Sequence, residues 1–400
     1  MHSTTLSKQR LLVLLMFFGL ANTLTPFPTD KLALIVLALT GGWLLERRLV
    51  FSWNGIASIG LLTAWLLLSC FFSIGRPDSA WQDASLLIFF MVTAWLLTTA
   101  AVMRPTEFLN SFLVAVALYL LCGLVTWGYS LWSNNIFYVM PLYGKGRPDI
   151  YAALSFATTP QVFATIAALA AVTALSLKQA AIAQMPKKRL ICRYDIMIML
   201  SIIAIVASLN RVWLLFIPVL LVAWWGRRVL LAGVLLGVLL GGFLLAYSDI
   251  AFTLGTVSSR LLMIDHMITF FGEQGISSLL VGRPFYSEPY FHMHGRDFHY
   301  VESAPFFLVA KFGLLSLLPI VILLGAWLFR LYRIAPFLAF FSLYYLVFVQ
   351  FMTHELLSVS FWLYWVVMAC LWSERAHGLN FYIPGTKRSG NRESSFLCQA

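Results

Sequence analysis

What most constrains this chain is how little of it can face water: apolar runs of about 15 to 25 residues follow one another, most of them separated by short polar turns. A run of roughly 20 apolar residues is the length that carries an α-helix through the hydrocarbon of a bilayer, where every backbone amide must be satisfied within the segment itself. Twelve such runs can be marked, at about 11 to 25, 30 to 45, 54 to 73, 84 to 103, 108 to 129, 153 to 177, 195 to 210, 212 to 226, 229 to 247, 305 to 328, 334 to 352 and 356 to 373. The composition agrees, since 61% hydrophobic and 11% charged residues with a mean hydropathy of +0.86 leave too little polar surface to cover a water-soluble particle. The expected fold is an all-α integral membrane protein with about 12 transmembrane helices.

A net charge of +11 would point to nucleic acid in a soluble protein, but here the positions of the charges describe topology. With the N-terminus in the cytoplasm, 18 of the 27 basic residues fall on the cytoplasmic side, among them Lys8, Arg47, Arg104, Lys178, Lys187, Arg228, Arg333 and Lys387. Eight fall on the other side, and Lys311 lies near a helix start. An even number of spans makes both termini cytoplasmic and leaves one large outer loop between spans 9 and 10. The expected divisions are 1–247 (spans 1 to 9), 248–304 (outer loop), 305–373 (spans 10 to 12) and 374–400 (a polar cytoplasmic tail). The first apolar run follows Lys8 and Arg10 as a signal peptide would, but no small-residue cleavage site follows it, so it reads as a retained helix. The five cysteines are scattered, with no C-x-x-C pair to suggest a disulfide framework or a structural zinc site.

Chemistry is concentrated in the outer loop, which holds Arg260, Asp265, His266, Glu273, Arg283, Glu288, His292, His294, Arg296, Asp297, His299 and Glu302. His292, His294, Asp297, His299 and Glu302 supply enough donors for a metal, yet their spacing matches no standard site and the interleaved aromatics of FHMHGRDFHY suit glycan contact as well. The favoured reading is no metal and no cofactor. Glu302 stands at the mouth of the tenth span, just ahead of Pro305, where partial desolvation can raise a carboxylate toward a useful base; an acidic residue at a helix start is the plain alternative. Arg211, in SLNRVWLL, sits in a turn too short to leave the membrane surface, and reads either as a snorkelling residue or as a phosphate ligand, the latter being favoured. Arg260, in SSRLLMIDHMITFF, lies on helical spacing suited to a membrane surface. The shorter outer loops 75–83 and 130–150 mix Trp, Tyr, Gly and Arg; Arg76 and Arg147 from them, Arg296 from the large loop, and His354 and Glu355 from the last outer turn are cavity-lining candidates. No P-loop, H-E-x-x-H or G-x-S-x-G motif is present, so nucleotide hydrolysis, zincin and serine-hydrolase chemistry find no support.

In order and spacing these pieces resemble the O-antigen ligase and polymerase superfamily of bacterial envelope glycosyltransferases. LLSCFFSIGRPDSAWQDASLLIFF is similar to its third span, short outer loop and next span; SLNRVWLL to its S-x-S-R motif; SSRLLMIDHM to its R-x-x-x-W/I-x-x-A segment, with Met267 at the alanine position. LLVGRP is similar to L-x-G-x-G, and ESAPFFLVAKFGLLSLL to H-N-x-x-L followed by G-L-x-G. The chain departs from the ligases at Glu302, which stands eleven residues before Gly313 where they carry histidine, and at Ser316, which replaces the second glycine. The resemblance implies a bacterial inner-membrane enzyme whose outer loop is periplasmic and catalytic. It implies metal-independent, inverting transfer of a glycan from undecaprenyl diphosphate to lipid A-core by a ligase, or to another lipid-linked repeat by a polymerase. Arg211, Arg260 and Arg283 would hold the diphosphate, and Glu302 or His299 would be the base. A lipid-linked glycan transporter is the competing class, although the two halves of the chain do not resemble each other.

Overall fold

The structure, a computed structural model, describes residues 2–21, 60, 63–64, 77–142, 147–184, 193–225, 250–282, 291–293, 296–298, 303–353, 355–356 and 358–379. These residues are predominantly helical. In chain order come α1 (His2–Leu20), α2 (Pro77–Met103), α3 (Pro105–Ser133), the strands β1 (Val139–Leu142) and β2 (Arg147–Ala153), α4 (Pro160–Gln184), α5 (Arg193–Ala207) and α6 (Arg211–Trp225). Then follow α7 (Ile250–Val281), β3 (Phe291–Met293), β4 (Arg296–Phe298), α8 (Ala304–Ile334), α9 (Pro336–Met352) and α10 (Val359–Leu379). Helices α2, α3, α4 and α9 open on proline, whose fixed φ suits the first turn and whose missing N–H costs nothing there.

Among the described residues, two helical stretches are long and apolar enough to cross a membrane, Pro105–Ser133 and Pro160–Ala180. They differ in surroundings. Nearly every residue of α4 from Val162 to Leu177 is buried, and its run of Ala164, Ala167, Ala168, Ala170, Ala171 and Ala174 lets α3, α5, α6 and α10 pack against it. On α3 one face is buried (Phe108, Phe112, Ala115, Tyr119), while Val114, Leu118, Leu121 and Val125 form an exposed apolar stripe on another. The second half of α8 shows the same, with Leu315, Leu318, Val321 and Ile322 exposed.

The polar side chains sort to the two ends of this bundle. At one end Thr106 of α3 bonds Glu374 of α10, Arg375 donates to Gln179 of α4 at 2.8 Å, and Arg193 of α5 donates to Asn110 of α3 at 2.9 Å. Lys178 pairs with Asp195 there, and Trp224 donates its indole N–H to the same carboxylate. Thr165 lies 13 residues before Lys178 on α4, or about 20 Å along the axis, and belongs to the opposite end. That opposite end carries the β1–β2 hairpin, the α5–α6 turn and the α9–α10 turn.

Several boundaries differ from the sequence reading. The sixth span, expected from residue 153, starts at Pro160, because residues 147–153 pair with β1 in an antiparallel hairpin that aligns Val139 with Ala153 and Met140 with Ala152. The indole of Trp127 fixes this hairpin to α3 by donating to the Tyr151 carbonyl at 2.9 Å. Expected as one loop, residues 248–304 are instead largely α7, a helix of 32 residues broken at Gly275, followed by the β3–β4 hairpin that pairs Phe291 with Phe298 and His292 with Asp297. Helix α8 runs through the expected tenth span but is interrupted at Gly313, and the middle of α9 (Tyr344–Val349) is π-helical. The expected spans 30–45 and 229–247 lie outside the described residues, and of 54–73 only Gly60, Thr63 and Ala64 are described, as helix.

Candidate functional site

Two turns meet at the end of the bundle away from the Lys178–Asp195 pair. The first joins α5 to α6 and is built by its own polar residues. Ser208 Oγ donates to the Ile205 carbonyl at 2.6 Å and accepts the Asn210 N–H at 3.2 Å; Asn210 Oδ1 caps α6 by accepting the Trp213 N–H at 3.2 Å. Between them Leu209 sits at φ 52°, a left-handed conformation that costs a side-chain-bearing residue about 1 kcal/mol or more. Arg211, half-buried, is the next residue but one. Its backbone is held from the far side as well, because the Tyr344 hydroxyl donates to the carbonyl of Val212 and Trp213 is fully buried against Phe216, Phe341 and Tyr345.

The second turn joins α9 to α10 and contains Glu355, 2% exposed. Thr165 Oγ1 donates to Glu355 Oε1 at 2.8 Å, while Tyr345 Oη and Ser360 Oγ each donate to Oε2 at 2.9 Å. The Glu355 N–H donates to Gln350 Oε1 at 3.3 Å, and the Ser358 hydroxyl donates to the Glu355 carbonyl at 2.7 Å. Trp213 joins the two turns, since its indole N–H donates to Thr165 Oγ1 at 2.8 Å and the Thr165 hydroxyl in turn donates to Glu355. Burial raises the Glu355 carboxyl to about 7, with the bonds from Thr165, Ser360 and Tyr345 pulling the other way. Both Glu355 oxygens accept hydrogen bonds inside the protein, so the carboxylate is held by α4, α9 and α10.

Two adjacent tyrosines of the π-helical stretch serve two different elements, since successive side chains of a helix point in different directions (about 100° apart in an α-helix): Tyr344 reaches α6 while Tyr345 reaches the α9–α10 turn.

A close crossing of α7 and α8 ties down the other arginine-bearing region. Gly282 at φ 80° and Gly313 at φ 74° lie backbone to backbone: a Cβ on Gly282 would stand 2.5 Å from the Gly313 nitrogen, and one on Gly313 would stand 2.2 Å from the Leu280 oxygen. Gly282 and Gly313, from two separate sequence motifs, thus share one contact, which sets the end of α7 against the interruption of α8. Met263, Met267 and Phe270 of α7 are buried.

Of the residues singled out in the sequence, Arg211 and Glu355 are brought to one end of the bundle by the linked turns just described. Arg260, Arg147 and Arg296 have their backbones in α7, β2 and β4, but their side chains lie outside the described ones. Glu302, His299, Arg283, Arg76 and His354 lie outside the described residues altogether. Among the described residues no group of three or more His, Cys, Asp or Glu is placed to hold a metal. Sequence reasoning missed Thr165, Tyr345 and Ser360. The available signal was weak: Thr165 is one of three hydroxyl-bearing residues, with Thr173 and Ser176, in an otherwise alanine-rich helix. Compared with known proteins, the chain matches no family model, no curated protein and no solved structure.

Proposed function

We propose that this chain is a multi-pass inner-membrane glycosyltransferase that takes a glycan from undecaprenyl diphosphate on the periplasmic side, as in the O-antigen ligase and polymerase superfamily it resembles. The observation that carries this reading is the Arg211 turn. A half-buried arginine in an apolar wall is costly, a left-handed leucine adds strain, and yet the turn is pinned from both sides by Ser208, Asn210, Trp213 and Tyr344. Such an arrangement suits a guanidinium that must meet a fixed anion, and its planar fork matches the oxygens of a diphosphate. The apolar stripes on α3 and α8 and the gathering of Arg104, Lys178, Arg193 and Arg375 at the other end support a bundle set across the bilayer with Arg211 on the outer side.

In this mechanism an acceptor hydroxyl attacks the anomeric carbon, the bond from that carbon to the phosphate oxygen breaks with inversion, and undecaprenyl diphosphate leaves with the bonding pair. Arg211, with Arg260 and Arg283, offsets the charge on the diphosphate. Glu302 takes the proton of the attacking hydroxyl, with His299 as the rival base; neither metal nor cofactor takes part. Lipid A-core is the favoured acceptor, which makes the chain a ligase. A polymerase would use a second lipid-linked repeat. Deleting the gene and examining lipopolysaccharide separates the two: uncapped core with accumulated polymeric lipid-linked glycan marks a ligase, and core carrying a single repeat marks a polymerase. Unchanged lipopolysaccharide and lipid-linked glycan would overturn both.

Two further results are expected. A reporter fused after Arg228 is cytoplasmic and one inserted at Gly295 is periplasmic; the opposite placement of Gly295 would remove the chemistry from the compartment proposed for it. Glu302→Gln lowers transfer by roughly 10²-fold or more while donor binding stays near native, because the amide keeps the size of the carboxylate and loses its capacity to accept a proton. If Glu302→Gln is fully active and His299→Ala is dead at normal membrane levels, the base is His299.

A further inference from the structure

Glu355 has the three donors of a structural carboxylate, but their origins are unusual for a residue that merely satisfies a turn. Thr165 comes from α4, Tyr345 from the π stretch of α9 and Ser360 from α10, and the Thr165 hydroxyl is itself held by the Trp213 indole of α6. Trp213 is two residues beyond Arg211, in the first turn of the same helix, and its backbone N–H is the one that Asn210 caps. Tyr344, adjacent to Tyr345, grips the carbonyl of Val212, the residue between them. The side-chain hydrogen bonds of Trp213 and Tyr344 on the α6 side of the Arg211 turn thus lead within one or two steps to the carboxylate of Glu355 or to its π-helical donor. A buried hydrogen-bonded chain of this kind has few ways to relax, because each member that moves leaves its neighbour unpaired in a setting where that is costly.

We propose that Glu355 is the positioning residue for Arg211: acting through Thr165 and Trp213, its carboxylate holds the 208–214 turn in the setting that presents the Arg211 guanidinium to an anionic ligand of diphosphate chemistry. The ligand class rests on the function proposed above; the mechanical link from Glu355 to the turn does not. In this proposal Glu355 acts through its neighbours, being buried with both oxygens accepting hydrogen bonds inside the protein.

The experiment uses the full-length protein in lipid nanodiscs and two independent readouts. Thr165→Val removes the relay hydroxyl at nearly constant volume, and Thr165→Ser keeps it; Glu355→Gln serves as a second variant that retains size and puts a donor where only donors converge. Amide hydrogen exchange is followed across 208–214, with 166–177 of α4 as the internal control. Thr165→Val and Glu355→Gln are expected to speed exchange in 208–214 by about tenfold, the effect of losing a buried hydrogen bond, with 166–177 unchanged and Thr165→Ser close to native. In the transfer assay the Val variant is expected to raise the donor KM about tenfold with kcat within a factor of about three, and the Ser variant to restore it. Native exchange in 208–214 in both disrupted variants, or equal acceleration throughout α4, would overturn the link. Accelerated exchange confined to 208–214 in a protein that shows no transfer from any lipid diphosphate would sustain the link and remove the proposed function instead.

Discussion

Alanine at Gly282 or at Gly313 is expected to cost the protein its folded state, whereas alanine at Gly325 of the same α8 helix is not. Both sensitive glycines have positive φ, at 80° and 74°, where a Cβ costs about 1 to 2 kcal/mol by itself. The greater cost is overlap. A Cβ on Gly282 would come within 2.5 to 2.7 Å of the Gly313 and Phe312 nitrogens and the Lys311 carbonyl carbon, and one on Gly313 within 2.2 to 2.5 Å of the backbone of Leu280 and Val281. These are backbone atoms of two packed helices, so no rotamer change relieves the clash, and overpacking of this kind adds about 1 to 3 kcal/mol. Each substitution should therefore remove about 2 to 5 kcal/mol, a large part of the stability of an ordinary domain. Gly325 has nothing within 4 Å of an added Cβ, and alanine there should be neutral or better. Membrane accumulation and melting temperature in detergent decide the matter: native melting of both Gly282→Ala and Gly313→Ala would mean that α7 and α8 do not cross as described.

Arg211→Lys is expected to lower transfer by roughly 10²-fold or more while leaving the amount and the melting behaviour of the protein close to native. Ser208, Asn210, Trp213 and Tyr344 build the turn through bonds that lysine leaves in place. What lysine lacks is the rigid pair of parallel N–H donors that meets two phosphate oxygens at once. Loss of one such donor set at a developing charge typically costs 10² to 10³ in rate. A snorkelling residue behaves differently, because lysine snorkels as well as arginine does. Full activity in Arg211→Lys, at native protein levels, would therefore return Arg211 to that plainer role.

Part of the local architecture is legible in the sequence. The apolar runs 84–103 and 108–129 are helical, in α2 and α3, and Arg211 stands out because it interrupts such a run. Both signals are local: a helix satisfies its backbone within itself, so its length and its apolar content are written in consecutive residues. The β1–β2 hairpin was not legible in this way. Its residues 150–153 continue the apolar pattern of the following helix, and only their pairing with 139–142 makes them a strand.

What tertiary structure alone decided is how the helices face one another. Thr165 lies 190 residues from Glu355 and 48 from Trp213, and no spacing rule relates them. Gly282 and Gly313 appeared as separate motifs until the crossing of α7 and α8 made each the reason for the other. Helices α3 and α4 read alike in sequence, both apolar over a full span, yet 56% of the apolar window of the first and 89% of that of the second is buried inside the protein. In a soluble protein the polar face of a helix records which side meets water. Where every face is apolar that record is missing, and the choice of partner is left to fine steric fit, to close backbone approach at small residues, and to the few hydroxyl, indole and carboxyl groups that must find one another once buried.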